Sequence, residues 1–254
     1  MKRIRFLEIS GVILAVLGAA LIAFAAYEQH RLSEEGYAGS VYSSHAEFET
    51  PRSLVVNTVS MPVAVRYGDT DRVQVSWTGS TPLTFDEKKK PGTLYISEDD
   101  RFTMTLLSER AAQTRLEIVL PHKVYEHISL SSSSGSVEED RLNARTLEFG
   151  TKSGDLKLYG IDERASLRTE SGKLFAEFSS FSGDMNIKAG AGDVTLLLPE
   201  ELSVYLEFFT ESGSFTSDRF DQPYREKRGD AVVIYNGARA KLNVTTTSGN
   251  LYVF

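Results

Sequence analysis

The chain has 254 residues, of which 41% are hydrophobic, and its formal net charge is −7 at pH 7. This acidic balance argues against a nucleic-acid partner, for which a basic face is expected. Because the sequence contains no cysteine, disulfide bonds, thiolate metal sites and a cysteine nucleophile are excluded.

The first predicted element is a transmembrane helix over residues 9–27. These 19 residues carry no charge, and at about 1.5 Å per residue they are about 28 Å long, close to the ~30 Å hydrocarbon thickness of a bilayer. Three basic residues lie within residues 1–8, so the positive-inside rule predicts a cytoplasmic N-terminus and an extracellular remainder. A cleaved signal peptide is the alternative, since Ala23-Phe24-Ala25 offers a small-x-small cleavage site.

The next segment, residues 28–49, is polar and rich in small residues, and it predicts a juxtamembrane linker. Residues 50–254 are predicted to form one extracytoplasmic β-repeat domain. The predicted partner of the N-terminal helix is the lipid bilayer, and the predicted location is the cell membrane with a single pass.

Alternating apolar residues predict several strands before the repeats begin. They start near Leu54 and continue over residues 63–67, 73–77, 94–96, 102–107 and 115–120. The turn residues 68–71 between the second and third of these strands predict a β-hairpin. Since this part lacks the repeat described next, we expect it to cap the N-terminal end of a stack.

A repeated register occupies the rest of the chain: apolar, any, Thr, any, Ser, Gly, any, apolar. Four segments keep it strictly, at residues 149–156, 167–174, 208–215 and 244–251, and three keep it with small-residue changes, at 130–137, 178–185 and 187–194. The central glycines are Gly135, Gly154, Gly172, Gly183, Gly192, Gly213 and Gly249.

Each repeat is interpreted as strand, corner, strand, with glycine at the corner because it reaches positive φ without a Cβ penalty. Most repeats recur at 18 to 21 residues, which is typical of a stacked solenoid. The predicted fold is therefore all-β, a right-handed β-helix or solenoid-like domain, with an antiparallel β-sandwich as the alternative.

The last interval, from Gly213 to Gly249, is 36 residues long and is expected to hold two periods with one corner replaced by an insertion. Within it, residues 225–228 and 231–235 flank Gly229-Asp230 and predict a hairpin.

Candidate metal-ligating residues are few. The four histidines, His30, His45, His122 and His127, show no ligand spacing. Asp155, Asp184 and Asp193 share one register position and could form a row that binds Ca²⁺, but solvated turn carboxylates are the simpler interpretation.

Other short motifs have ordinary explanations. Gly190-Ala191-Gly192 resembles the start of a dinucleotide fingerprint, yet no helix pattern follows it. Arg228-Gly229-Asp230 fits a hairpin tip as well as a cell-attachment motif, and Lys88-Lys89-Lys90 fits a solvated loop as well as an anionic-surface contact. No catalytic, cofactor-binding or metal-binding residue is therefore assigned, and no cofactor is expected.

The N-terminal span together with the Thr-x-Ser-Gly-x-Leu/Phe repeats resembles the putative-adhesin family of β-strand-repeat domains. The combination is also similar to LiaG-type membrane proteins, which are encoded with Gram-positive cell-envelope stress systems. The resemblance covers residues 54–254 and implies a β-helix-like fold and an envelope context, but it supplies no catalytic residues.

The leading functional hypothesis is a non-enzymatic, membrane-anchored interaction or accessory module of the bacterial cell envelope, acting in envelope stress and binding an envelope protein or polysaccharide. One alternative is a polysaccharide-active β-helix enzyme, which would need paired carboxylates in a cleft. Another is a self-assembling scaffold that stacks through exposed aromatic end strands at Phe208-Phe209 and residues 251–254.

Overall fold

The structure is a computed structural model that describes residues 42–79, 81–99, 114–162, 164–180, 183–201, 204–220, 231–235 and 240–254. Within these residues the fold is all β. None of the described residues forms a helix of the length and apolarity needed to span a membrane. The predicted span at 9–27 lies outside the described residues, as does the predicted strand at 102–107.

The strands are numbered β1 to β20 in chain order. Their bounds are β1 Tyr42–Phe48, β2 Ser53–Thr58, β3 Val63–Gly68, β4 Val73–Gly79, β5 Leu83–Asp86, β6 Thr93–Glu98, β7 Arg115–Pro121, β8 His127–Ser132, β9 Val137–Asp140, β10 Leu147–Thr151, β11 Leu156–Ile161, β12 Ala165–Thr169, β13 Leu174–Phe178, β14 Met185–Ala189, β15 Val194–Leu197, β16 Val204–Thr210, β17 Phe215–Ser217, β18 Ala231–Tyr235, β19 Ala240–Thr246 and β20 Leu251–Val253.

These strands form two ten-stranded sheets that enclose one core. The first sheet has the order β1-β4-β7-β3-β9-β11-β13-β15-β20-β17, and the second has the order β5-β6-β2-β8-β10-β12-β14-β19-β16-β18. A strand of the second sheet, a corner and the following strand of the first sheet make one rung. Successive rungs stack with parallel pairing, as in β8-β10-β12-β14 of one sheet and β9-β11-β13-β15 of the other.

This parallel stack confirms the repeat and the solenoid-like arrangement, and it excludes the antiparallel sandwich for the repeats. Antiparallel pairs occur toward the ends of the two sheets. At one end β1 pairs with β4, β4 with β7, and β5 with β6, and at the other end β18 pairs with β16. The predicted N-terminal cap is matched only by the antiparallel strands, because β2, β3, β6 and β7 of the same region continue the parallel stack.

Two predicted details are wrong, and a third lies partly outside the described residues. β3 and β4 do not form a hairpin with each other, because β7 lies between them in the sheet. Residues 42–48 of the predicted linker form β1, which pairs with β4 along its whole length. The predicted partner of β18, residues 225–228, lies outside the described residues, and β18 pairs with β16.

The last rung in sequence is not the last in space. β19 pairs with both β14 and β16, and β20 pairs with both β15 and β17. The chain therefore inserts its final rung, β19 and β20, between two rungs that come earlier in the sequence. The expected two periods between Gly213 and Gly249 are not seen in the described residues, where β18 is instead an edge strand beside β16. Residues 251–254 are consequently not the exposed end strand that the scaffold hypothesis required.

The corner glycines are required by packing and not by φ, which corrects the expectation of positive φ. Among the described glycines only Gly92 and Gly160 have positive φ. The glycines of stacked corners form a ladder, in which each corner packs on the corner of a neighbouring rung. A Cβ built on any glycine of this ladder would lie less than 3.0 Å from the carbonyl oxygen of that neighbouring corner. The ladder runs through Gly135, Gly154, Gly172, Gly192, Gly249 and Gly213, and each glycine contacts the one before it. Gly183, which shares the sequence register, is not part of this ladder.

Where the register carries its threonine, the side chain closes the corner from inside. The hydroxyl of Thr169 donates to the Gly172 carbonyl at 3.2 Å and accepts from the Gly172 amide at 2.9 Å. Thr246 donates to the Gly249 carbonyl at 2.7 Å, and Thr58 donates in the same way to Met61 at 2.9 Å. Because these hydroxyls are buried, they satisfy backbone groups that would otherwise be orphaned. The Thr58 corner is a rung that the glycine pattern missed.

The apolar positions that flank each corner form two facing rows in the core. One row consists of Val56, Leu130, Phe149, Leu167, Ile187, Val244 and Phe208, and the other consists of Val63, Val137, Leu156, Leu174, Val194, Leu251 and Phe215. Burial of these rows is the main force that holds the rungs together.

Gly172→Ala is expected to destabilise the domain by roughly 3 kcal/mol or more, because the new methyl group would collide with backbone that cannot move aside. Gly183→Ala is the matched control: its Cβ would meet only Arg164 at 3.7 Å, so its effect should stay within about ±0.5 kcal/mol. Both changes in stability are measured as shifts in the urea unfolding midpoint of the fragment from Ser33 onward. Equal midpoints would contradict the packing role of the ladder.

Candidate functional site

A depression lies on the outer face of the first sheet, beside the glycine corners. Phe175 of β13, Thr195 of β15 and Tyr252 of β20 occupy one register position on three neighbouring strands. The short Thr195 side chain therefore lies between two half-buried aromatic residues. Since neighbouring strands are about 4.8 Å apart, the backbones of Phe175 and Tyr252 lie roughly 9.6 Å from each other. We call this feature the slot.

One wall of the slot is polar and comes from the corner residues Asp155, Lys173 and Asp193. Asp155 Oδ1 accepts a hydrogen bond from the Lys173 amide at 2.8 Å. Asp193 Oδ1 accepts from the Asn250 amide at 2.9 Å and from Asn250 Nδ2 at 3.0 Å. These carboxylates tie each rung to the next, which explains why Asp and Asn are frequent after the glycine.

The other wall is braced by an aromatic contact. The rings of Tyr159 and Phe175 lie 5.5 Å apart at an interplanar angle of 51°, a favourable tilted geometry. Lys157 is in register with Phe175 and lines the slot next to it. Lys157 and Lys173 are both exposed, and both line the slot.

The proposed Ca²⁺ row is not assembled. Asp155 and Asp193 occupy the same corner row, but Lys173 lies between them, and Asp184 accepts from the Lys241 amide at 3.0 Å elsewhere in the stack. Within the described part of the chain, no group of three His, Cys, Asp or Glu side chains could hold a metal ion.

The described histidines lie on separate structural elements. His45 of β1 contacts Ser76 through Nδ1 at 3.1 Å, the His122 ring packs on Tyr67 with centroids 4.7 Å apart, and His127 begins β8. His30 lies outside the described residues.

The remaining sequence motifs are placed as follows. Asp86 Oδ1 accepts from the backbone amides of Lys88 and Lys89 at 2.7 and 3.0 Å, so this lysine run forms an exposed turn. Gly190-Ala191-Gly192 forms a corner of the stack, where the Ala191 amide donates to the Glu170 carbonyl at 2.9 Å. Arg228-Gly229-Asp230 lies outside the described residues.

The sequence analysis missed Glu139, a carboxylate inside the core. It occupies an inward position of β9 between Val65 and Leu158 and is only 1% exposed. Its Oε1 accepts a hydrogen bond from the backbone amide of Leu142. Its second oxygen, Oε2, has no hydrogen-bond partner among the described residues. Burial raises the pKa of Glu139 to about 8, so this carboxyl is largely protonated at neutral pH.

Tyr67 and Lys123 extend this buried polar region toward the turn after β9. The Tyr67 hydroxyl donates to the Lys123 carbonyl at 2.7 Å and accepts from the Asn143 amide at 2.9 Å. Lys123 donates to the Pro51 carbonyl at 2.6 Å and lies over the Tyr125 ring at 4.6 Å. Burial raises the pKa of Tyr67 and lowers the pKa of Lys123.

A sequence signal for Glu139 was available. The apolar end of the 130–137 repeat fixes Val137 as inward-facing, so the period of two places Glu139 on the same face. The slot had no such signal, because Phe175 and Tyr252 are 77 positions apart in the sequence and are brought close only by the inserted final rung.

Comparisons with known proteins identify relatives of this fold. The family model described as Toastrack DUF4097 matches residues 52–182 and 162–253. No curated protein matches the sequence. A solved structure of a putative cell adhesion protein from Clostridium sporogenes is 15% identical, with a TM-score of 0.53 over 84% of this chain and 99% of that chain. At this identity the likeness concerns the fold alone.

A second solved structure, of a putative adhesin from Bacteroides fragilis, is 9% identical with a TM-score of 0.37, and the match covers 85% of this chain and 97% of that chain. A third, of a putative adhesin from Parabacteroides distasonis, is 8% identical with a TM-score of 0.32, and the match covers 85% of this chain and 98% of that chain.

Glu139 makes stability depend on pH. Its folded-state pKa of about 8 lies above the ordinary value of 4.5, so the folded protein holds this proton more tightly than the unfolded chain does. The contribution of Glu139 to the free energy of unfolding is thus fully present below pH 4.5 and is lost as pH rises through 8, at up to about 1.4 kcal/mol per pH unit.

Glu139→Gln should remove this pH dependence, since glutamine keeps the shape and cannot ionise. Urea unfolding between pH 5 and pH 9 should show that the free energy of unfolding of the variant increases relative to that of the wild type as pH rises. Glu138→Gln, at the neighbouring exposed position of β9, is the control and should keep the wild-type slope. An unchanged slope in Glu139→Gln would show that this carboxyl does not titrate as described.

Proposed function

The chain belongs to the Toastrack DUF4097 family, and on that premise we propose that it is a membrane-anchored, extracytoplasmic module of the bacterial cell envelope that works by binding. The observation that carries this proposal is the slot, a groove of aromatic and polar side chains on a sheet face held rigid by the backbone ladder. A groove of this kind suits recognition, because a ligand meets side chains that are already positioned.

Two features support binding over catalysis. A polysaccharide-active enzyme needs two carboxyl groups that exchange protons in a cleft. The slot contains Asp155 and Asp193, but both accept hydrogen bonds from the neighbouring rung. Glu139, whose pKa is suited to proton exchange, is enclosed in the core.

The anchor and the location rest on the sequence. The uncharged run at 9–27 is long enough to span a bilayer, and the basic residues before it favour a cytoplasmic N-terminus. The resemblance to proteins encoded with envelope stress systems supports a role in that response. A right-handed coil is part of the same proposal, because crossovers between parallel strands of one sheet are almost always right-handed.

A reporter enzyme that is active only outside the cytoplasm is expected to work when fused after Phe254. The same fusion on a chain lacking residues 1–27 is the control and should be inactive, because that segment is the export signal. Activity of both fusions, or of neither, would contradict the proposed topology. A mature N-terminus at Ala26, found by mass spectrometry, would contradict the anchor and leave export standing.

A further inference from the structure

We infer that the slot between Phe175 and Tyr252 binds a glycan strand of the cell envelope. This inference rests on the proposed function and names its ligand class. It is argued from three properties of the slot: its width, the chemistry of its walls and its orientation along the stack.

The width suits one flat ring. The backbones of Phe175 and Tyr252 are separated by one intervening strand, about 9.6 Å in all, and the residue between them is the short Thr195. A group in van der Waals contact with both rings lies roughly 4 to 5 Å from each of them. A pyranose ring fits this space, because its two faces present C–H groups that pack against aromatic rings.

The polar groups suit the rim of such a ring. The Thr195 hydroxyl lies in the floor of the slot and Asp193 in its wall, where they can exchange hydrogen bonds with sugar hydroxyls. Lys157 and Lys173 are exposed and line the slot, and they can donate to carboxylate, acetamide or hydroxyl oxygens. A few polar groups around an apolar contact are what orients a ligand in a pocket.

The orientation suits a polymer. The glycine corners keep the rungs parallel, so the outer face of the first sheet continues on both sides of the slot, with Lys157 beyond Phe175 and Thr216 beyond Tyr252. Adjacent sugar units of a strand can therefore lie along the same register row. An apolar lipid chain would displace water from Lys157, Lys173 and the Thr195 hydroxyl without offering them hydrogen bonds, which is costly, and so it fits the slot poorly.

The test uses the full chain in detergent micelles, with two probes: a β-1,4-linked N-acetylglucosamine hexamer, titrated by calorimetry, and purified peptidoglycan sacculi, assayed by co-sedimentation. The wild type is expected to bind at least one probe saturably. Phe175→Ala and Tyr252→Ala should each weaken that binding about tenfold or more, whereas Tyr252→Phe, which keeps the ring, should stay within about twofold of the wild type.

Phe209→Ala is the matched control, because Phe209 is an exposed aromatic on the outer face of the second sheet. It should bind like the wild type. Binding of neither probe by the wild type, or equal binding by all variants, would overturn the inference. Self-association that is concentration-dependent and abolished by Tyr252→Ala would also overturn it, since the slot would then hold a second copy. Any of these results, together with an active reporter after Phe254, would leave the envelope proposal intact.

Discussion

The structure depends on the contact between backbones at the corners. Each ladder glycine brings its rung so close to the carbonyl of the rung below that no side chain fits between them. Corner amides continue the strand hydrogen bonding through the turn, as when the Ser153 amide donates to the Ser133 carbonyl at 3.0 Å. At these described corners the hydrogen-bond ladder therefore continues from one sheet into the other.

Strict register follows from this contact. Because every rung is fixed to the next at its corner, equivalent positions line up through the stack. Inward positions form apolar rows, and outward positions form rows of side chains on the surface of each sheet. The slot uses the outward alignment, since Phe175 and Tyr252 face the same gap from rungs that are distant in sequence. Glu139 is a carboxyl group at an inward position, and its proton is what allows it to remain there.

Much of this fold could be predicted from sequence because local chemistry determines it. Alternation predicted the strands, and the Thr-x-x-Gly register marked the corners. The predicted reason for glycine at the corners, positive φ, was wrong. Positive φ and close backbone approach both favour glycine, and only the position of the neighbouring rung distinguishes the two causes. The predictions for β3 and β4, as a hairpin, and for β19 and β20, as the last rung, were wrong for another reason. Spacing along the chain does not specify which distant strand becomes a neighbour in the sheet. The candidate site depends on that pairing, so it could not be predicted.

Amide hydrogen exchange at the corners tests the central claim most directly. If the ladder continues through the corners, the amides of Ser153 and Ser171, which donate to the carbonyls of the neighbouring rung, should be protected as strongly as strand amides in β10 and β12, and should exchange only when the stack opens. Exchange of Ser153 and Ser171 at the rate of an unstructured peptide, while the strand amides stay protected, would show that the corners are ordinary surface turns and would contradict the account.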